Sequence, residues 1–144
     1  MAEENKMKLQ LSNATLWVRD QDEALEFFRK LGFDVREDVK NGDYRWLAVA
    51  SKEQPEIAVV LAKPGFPMDE ATAEHVENAV AKGMLSTIVF TTDDCFAAYE
   101  ELKSKGIEFT RPAGERGYGV DATFRDPSGN EFRLLQPTPQ SAHA

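Results

Sequence analysis

The sequence predicts an α+β protein in which one β-α-β-β-β unit is used twice, and three observations carry that prediction. A strand followed by a capped helix occurs twice at a fixed offset: Asp20 and Asp94, Ala24 and Ala98, Glu26 and Glu100, and Gly32 and Gly106 are each 74 positions apart. Three further stretches of strand character follow each helix, and turn-forming glycine, proline, asparagine and aspartate separate them. Self-similarity at a fixed period marks a duplicated structural unit.

In the first unit, Asn13-Ala-Thr-Leu-Trp-Val-Arg-Asp20 alternates, with Leu16 and Val18 on one face and Asn13, Thr15 and Trp17 on the other. Asp20 is placed to cap a helix over 21–31, with Glu23 three residues on as in a capping box. Ala24, Phe27, Phe28 and Leu31 give its apolar stripe, and Gly32 ends it. Strands over 33–39 and 44–50 flank Asn41-Gly42, a strong hairpin signal, and a strand over 57–61 follows Pro55. The second unit repeats this order. Its strand and cap are Thr87-Ile-Val-Phe-Thr-Thr-Asp-Asp94, its helical stripe is Cys95, Ala98, Tyr99 and Leu102, and its later strands are 107–110, 120–125 and 131–135. Between the units, Lys63-Pro-Gly-Phe-Pro67 reads as a rigid loop and 69–82 as a short helix closed by Gly83. Ala73, Val76 and Val80 are its packing face. The chain thus reads as one domain, 1–144, made of a first module at 9–63, a linker at 64–83, a second module at 84–137 and a tail at 138–144.

Composition restricts the function. The chain is 42% hydrophobic and 29% charged, which describes an ordinary globular domain. A formal charge of −8 without a basic cluster argues against nucleic-acid binding and would favour cationic ligands at long range. No apolar run reaches the roughly 20 residues of a membrane span, and the first seven residues lack the features of a signal peptide. A cytoplasmic location is therefore expected. Cys95, the single cysteine, has no intrachain disulfide partner.

The two units, the Val-Arg-Asp and Ala-Leu-Glu-Phe-Phe sequences of the first, and Asp126-Pro-Ser-Gly-Asn130 before the last strand together resemble the vicinal oxygen chelate superfamily. That group includes glyoxalase I, extradiol dioxygenases, fosfomycin-modifying enzymes and bleomycin-resistance proteins. The resemblance covers 9–137. It implies an open U-shaped mixed sheet or barrel with helices outside and a ligand or metal inside. It also implies metal ligands, typically His, Gln or Glu, on the first and last strands of each unit. Those places hold Asn13, Thr87, Val59 or Val60, and Arg133. Valine donates nothing and arginine carries a permanent positive charge, so no metal and no other cofactor is expected there. His75 and His143, the only histidines, cannot rebuild a two-His-one-carboxylate site.

Function then rests on inward-facing side chains. Asn13, Thr15, Trp17, Trp46, Thr87, Thr91, Tyr118, Asp121 and Arg133 are the candidate ligand-binding residues, and no catalytic residue is assigned. Alternation sets Glu131, Arg133 and Leu135 on one face and Asp121, Thr123 and Arg125 on the matching face of the neighbouring strand, so an Asp121–Arg133 ion pair is compatible with an anchoring role for Arg133. Trp17 serves equally as pocket wall or core. Tyr118 lies between Gly117 and Gly119, in a loop that also reads as an ordinary turn. Glu56 is expected at the surface, His75 on an exposed helix face, and Cys95 buried and inert. The reading is a cavity that binds or sequesters a small organic molecule, in a homodimer made plausible by a linker long enough to exchange units. Its alternatives are a metal-dependent lyase, isomerase or dioxygenase, and a pseudoenzyme with a protein-interaction role.

Overall fold

The structure is a computed structural model that describes residues 7–138. The first unit contains β1 (Asn13–Trp17), α1 (Gln21–Lys30), β2 (Phe33–Asn41), β3 (Tyr44–Ser51) and β4 (Gln54–Ala62). After α2 (Glu70–Ala81), the second unit contains β5 (Val89–Thr91), α3 (Cys95–Ser104), β6 (Glu108–Glu115), β7 (Gly119–Arg125) and β8 (Glu131–Pro137). Each unit forms a four-stranded mixed sheet, ordered β1-β4-β3-β2 and β5-β8-β7-β6. The pairs β1–β4 and β5–β8 are parallel and the others antiparallel. The fold is α+β, as the sequence predicts, and the two sheets do not close on each other. Among the described residues no helix is long and apolar enough to cross a membrane.

The duplication is visible in the backbone. Asp20 and Asp94 cap α1 and α3 by accepting from Glu23 N (2.8 Å) and Ala97 N (3.1 Å), and Gly32 and Gly106 follow with φ of 90° and 89°. These are left-handed positions where glycine carries no steric cost. Val18 N donates to Ala62 O, and Thr92 N to Leu135 O, at the matching ends of the two parallel pairs. The capping box is only half formed, because the Glu23 carboxylate turns to Arg19, 2.8 Å and 3.0 Å away. A full guanidinium outcompetes the single Asp20 N–H.

Some strands differ from their predicted extents. β6 runs on past Thr110 to Glu115 through Pro112, which an edge strand tolerates because one row of its N–H groups is unpaired. Register shifts on both sides of Arg111 absorb the proline. β5 is short, so Thr87 lies before the strand. The hairpin loop is Gly42-Asp43, since Asn41 pairs with Tyr44.

One core serves both units. Leu16, Val18, Leu47, Val49 and Leu61 join Ala122, Phe124, Phe132 and Leu134 in a single cluster. Phe27 and Phe28 on α1 bridge it: Phe27 stacks on Phe132 at 5.8 Å, and Phe28 meets Phe33 and Phe90 edge-on at 5.4 and 6.4 Å. The Asp126–Asn130 turn is a second bridge. Asp126 Oδ1 accepts from Gly129 N and Asn130 N, the Asn130 amide donates to Trp17 O at 2.8 Å, and Ser128 Oγ accepts from Arg19 N at 3.0 Å. Gly129, at φ 109°, sits so close to the end of α2 that a Cβ would lie 2.7 Å from the Val80 and Ala81 carbonyl oxygens. Its role exceeds the local turn legible in the sequence.

Candidate functional site

The strand faces turned away from the core have different chemistry in the two units. On the first, Trp46 and Ala62 pack against a small apolar cluster of Ala48, Ala58 and Val60. Val60, rather than Val59, therefore shares this face, while Val59 packs on the main core. On the second, β7 and β8 place Asp121 opposite Leu135 and Thr123 opposite Arg133. With Arg111 and Tyr118 these four line an open hollow of about 620 Å³, within the size range of small-molecule sites.

Asp121 is the centre of this hollow, and it is 1% exposed. Its Oδ1 accepts from Arg116 Nε at 2.9 Å; its Oδ2 accepts from the Tyr118 hydroxyl at 2.7 Å and from Arg133 Nε at 3.0 Å. The Arg133 guanidinium also lies over the Tyr118 ring, 4.8 Å from its centroid, a cation–π arrangement. Burial, the largest single influence, pushes the Asp121 carboxyl upward. Hydrogen bonds from Tyr118 and Arg133, and the fields of Arg111 and Arg133, together outweigh it and hold the group below the usual aspartate range. For Arg133, burial again comes first and disfavours the charge, but the bonds and charge of Asp121 and Tyr118 reverse it and raise its pKa. Asp121 is therefore an ionised anchor. Both of its oxygens are occupied by protein donors, so it fixes the arginines instead of presenting a free carboxylate.

Of the candidate residues, the structure brings Tyr118, Asp121 and Arg133 together. It does not bring the others to this hollow within the chain. Asn13 is half-buried and bonds Ser12 Oγ at 3.4 Å, Thr15 is exposed, and Trp17 is half-buried. Trp46 stays with the first unit's face and donates to Glu37 at 3.5 Å. Thr87 is exposed ahead of β5. Thr91 borders a separate recess of about 550 Å³ with Phe33, Phe90 and Leu134 at its floor and Glu53, Glu56 and Glu101 around it. The sequence alone assigns no role to Arg111 or to Arg116. Ending a strand at Thr110 hides Arg111, whereas pairing through the proline bulge sets it beside Thr123.

The remaining chemistry-bearing residues are quiet. Glu56 and His75 are exposed. Cys95 is fully buried, its thiol 3.8 Å from Leu134 O, and burial pushes its pKa up, so the nucleophilic thiolate is disfavoured. Among the described residues no three His, Cys, Asp or Glu side chains gather as a metal site; His143 lies outside the described residues. The residues at the places where the resemblance implies metal ligands do not fit a divalent cation. Val60 is apolar and Arg133 is a cation already paired with Asp121.

The chain is a pair of β-α-β-β-β units whose open mixed sheets leave a polar hollow on one strand face. Residues 10–134 match the Glyoxalase/Bleomycin resistance protein/Dioxygenase superfamily, and the chain belongs to it. It is 33% identical to the uncharacterized protein YurT of Bacillus subtilis (strain 168), over 85% of this chain and 94% of that one. Among solved structures it is similar to UcmS2, with 41% identity, a TM-score of 0.84, and coverage of 90% of this chain and 98% of the other. It is also similar to TnmS3, an antibiotic binding protein from Streptomyces sp. CB03234, with 27% identity, a TM-score of 0.72 and coverage of 93% and 100%.

Proposed function

We propose that this protein binds a small organic molecule in the hollow around Arg133, without a metal centre and without transforming its ligand. The observation that carries the reading is the Asp121 carboxylate, buried and saturated by Arg116, Tyr118 and Arg133. It fixes a guanidinium on the strand position where the superfamily resemblance implies a metal-binding carboxylate, and a cation there repels a metal ion. The likeness to an antibiotic binding protein supports the same class of function.

The reading includes a homodimer. β1 and β5 are both edge strands, and exposed apolar side chains stand at each: Leu9 and Leu11 lead into β1, while Met84 and Leu85 lead into β5 and Val89 lies on it. Bare apolar edges favour pairing with another strand. The hollow is lined by the second unit alone, so a second copy's first unit, with Asn13, Thr15, Trp17 and Trp46, supplies its opposite wall.

A thermal-shift screen of small organic molecules, antibiotics included, tests the proposal on protein purified without chelator. The expected result is a saturable stabilising ligand, recovered unchanged, whose binding EDTA does not alter. Stoichiometric divalent metal surviving dialysis, or conversion of the ligand, overturns it. Light scattering tests the dimer: the wild type should have twice the chain mass and Leu85→Glu should shift toward the monomer. A wild-type monomer refutes the shared cavity.

A further inference from the structure

We infer that the ligand of the second-unit hollow is an organic anion, with a carboxylate-type group held between Arg111 and Arg133 and a flat apolar body against Leu135. This inference rests on the binding reading and specifies the ligand's class. Three guanidiniums, Arg111, Arg116 and Arg133, surround one carboxylate, Asp121. The local balance is positive although the whole chain carries −8. That carboxylate is not available to a cation, because Arg116 occupies one oxygen and Tyr118 and Arg133 occupy the other.

The arginines are not equally committed. Arg116 gives Nε to Asp121 and a terminal nitrogen to Pro112 O, each at 2.9 Å. Arg133 gives Asp121 its Nε, lines the open space, and keeps its side chain 38% exposed. Arg111 lines the same hollow, is exposed, and has no ion pair or side-chain hydrogen bond with the described residues. Its position on a bulge opposite Thr123 places it across the hollow from β8. Planar guanidiniums with unspent N–H groups match the geometry of a carboxylate. Thr123 offers a hydroxyl, Leu135 an apolar surface and Tyr118 an aromatic one. A cationic ligand, which net charge alone would suggest, would meet its own sign at Arg111 and Arg133.

Titration with three probes of one shape separates the alternatives: 2-naphthoate, neutral 2-naphthamide and 2-naphthylmethylammonium. Calorimetry gives affinity, and the ¹⁵N Nε–H resonances of Arg111 and Arg133 give location. Naphthoate should shift both resonances and bind about tenfold tighter than the amide, as one charge-assisted contact implies, with the ammonium weakest. Arg111→Met, which breaks no described contact, should weaken naphthoate about tenfold and leave the amide unchanged. Arg133→Met also releases Asp121 and the Tyr118 ring, so its readout is the naphthoate-to-amide affinity ratio, which should fall about tenfold. Amide or ammonium binding in the hollow as tightly as naphthoate overturns the anion class and leaves the binding reading standing. If no probe moves either resonance, both fall.

Discussion

The two strand faces turned away from the core have one backbone plan and opposite chemistry. Thr15 pairs with Val60 and Ala48 with Val60 in the first unit; Val89 pairs with Arg133 and Thr123 with Arg133 in the second. Val60 and Arg133 are therefore equivalent, as are Ala48 and Thr123. Two residues along, Trp46 occupies the place of Asp121. The first face consists of alanines, a valine and an indole, the second of a locked carboxylate and guanidiniums. Caps, helix-ending glycines and the strand residues facing the core are alike in both units, because they answer to folding. The strand positions turned away from the core are not held by that requirement and are free to diverge.

The largest expected effect tests what the units share. Phe28→Ala should cost about 3–5 kcal/mol in a denaturant titration, because its ring is fully buried and touches Phe33, Phe90 and Phe132. A loss near 1 kcal/mol would show that the units are only loosely joined there. Next, Asp121→Ala should cost about 2–3 kcal/mol. Removing one side of a buried ion pair typically costs more, but Arg133 is partly solvated and can rehydrate. Trp46→Ala at the equivalent place breaks no ion pair, so only packing and the long hydrogen bond to Glu37 are lost.

The same aspartate makes stability depend on pH. Its pKa is lower folded than unfolded, so its contribution is complete above the unfolded value, about 3.9, and is lost as pH falls through the lower folded value. The stability gap between wild type and Asp121→Asn should therefore be widest near neutrality and narrow in acid below that value. A gap that widens in acid would reverse the assignment. Smaller again, Asp20→Ala and Asp94→Ala should each cost about 1 kcal/mol, and the two values should agree, because the caps have the same geometry. Least of all, Glu23→Ala should cost less than about 0.5 kcal/mol, the usual value for an exposed i,i+4 pair. Circular dichroism melts can measure these last three.

Local physics made much of this fold legible. Asp20, Asp94, Gly32 and Gly106 are read directly from residue chemistry, and alternation along β7 and β8 predicts the Asp121–Arg133 pair found at 3.0 Å. Local rules failed where a tertiary partner changed the outcome. Pro112 ends a strand by propensity, yet β6 continues because its outer edge needs no ladder and a bulge absorbs the misfit. Arg111 was hidden behind that proline. Glu23 followed the capping pattern, but Arg19 drew it away. The second unit's hollow was legible in Tyr118, Asp121 and Arg133. Its separation from Asn13, Thr15, Trp17 and Thr91 was not, since period-two alternation says which face a side chain takes but not which other strand stands opposite.

The turn at 126–130 also bears on how the chain folds. Asn130 reaches back 113 positions to Trp17, and Ser128 reaches back 109 to Arg19, so the last hairpin cannot complete its contacts until the first strand and the end of α2 are in place. Closing so long a loop has an entropic cost that only the joined core offsets. Despite the repeat, the halves should lose structure together in one transition, and a fragment holding either half alone should lack a stable fold.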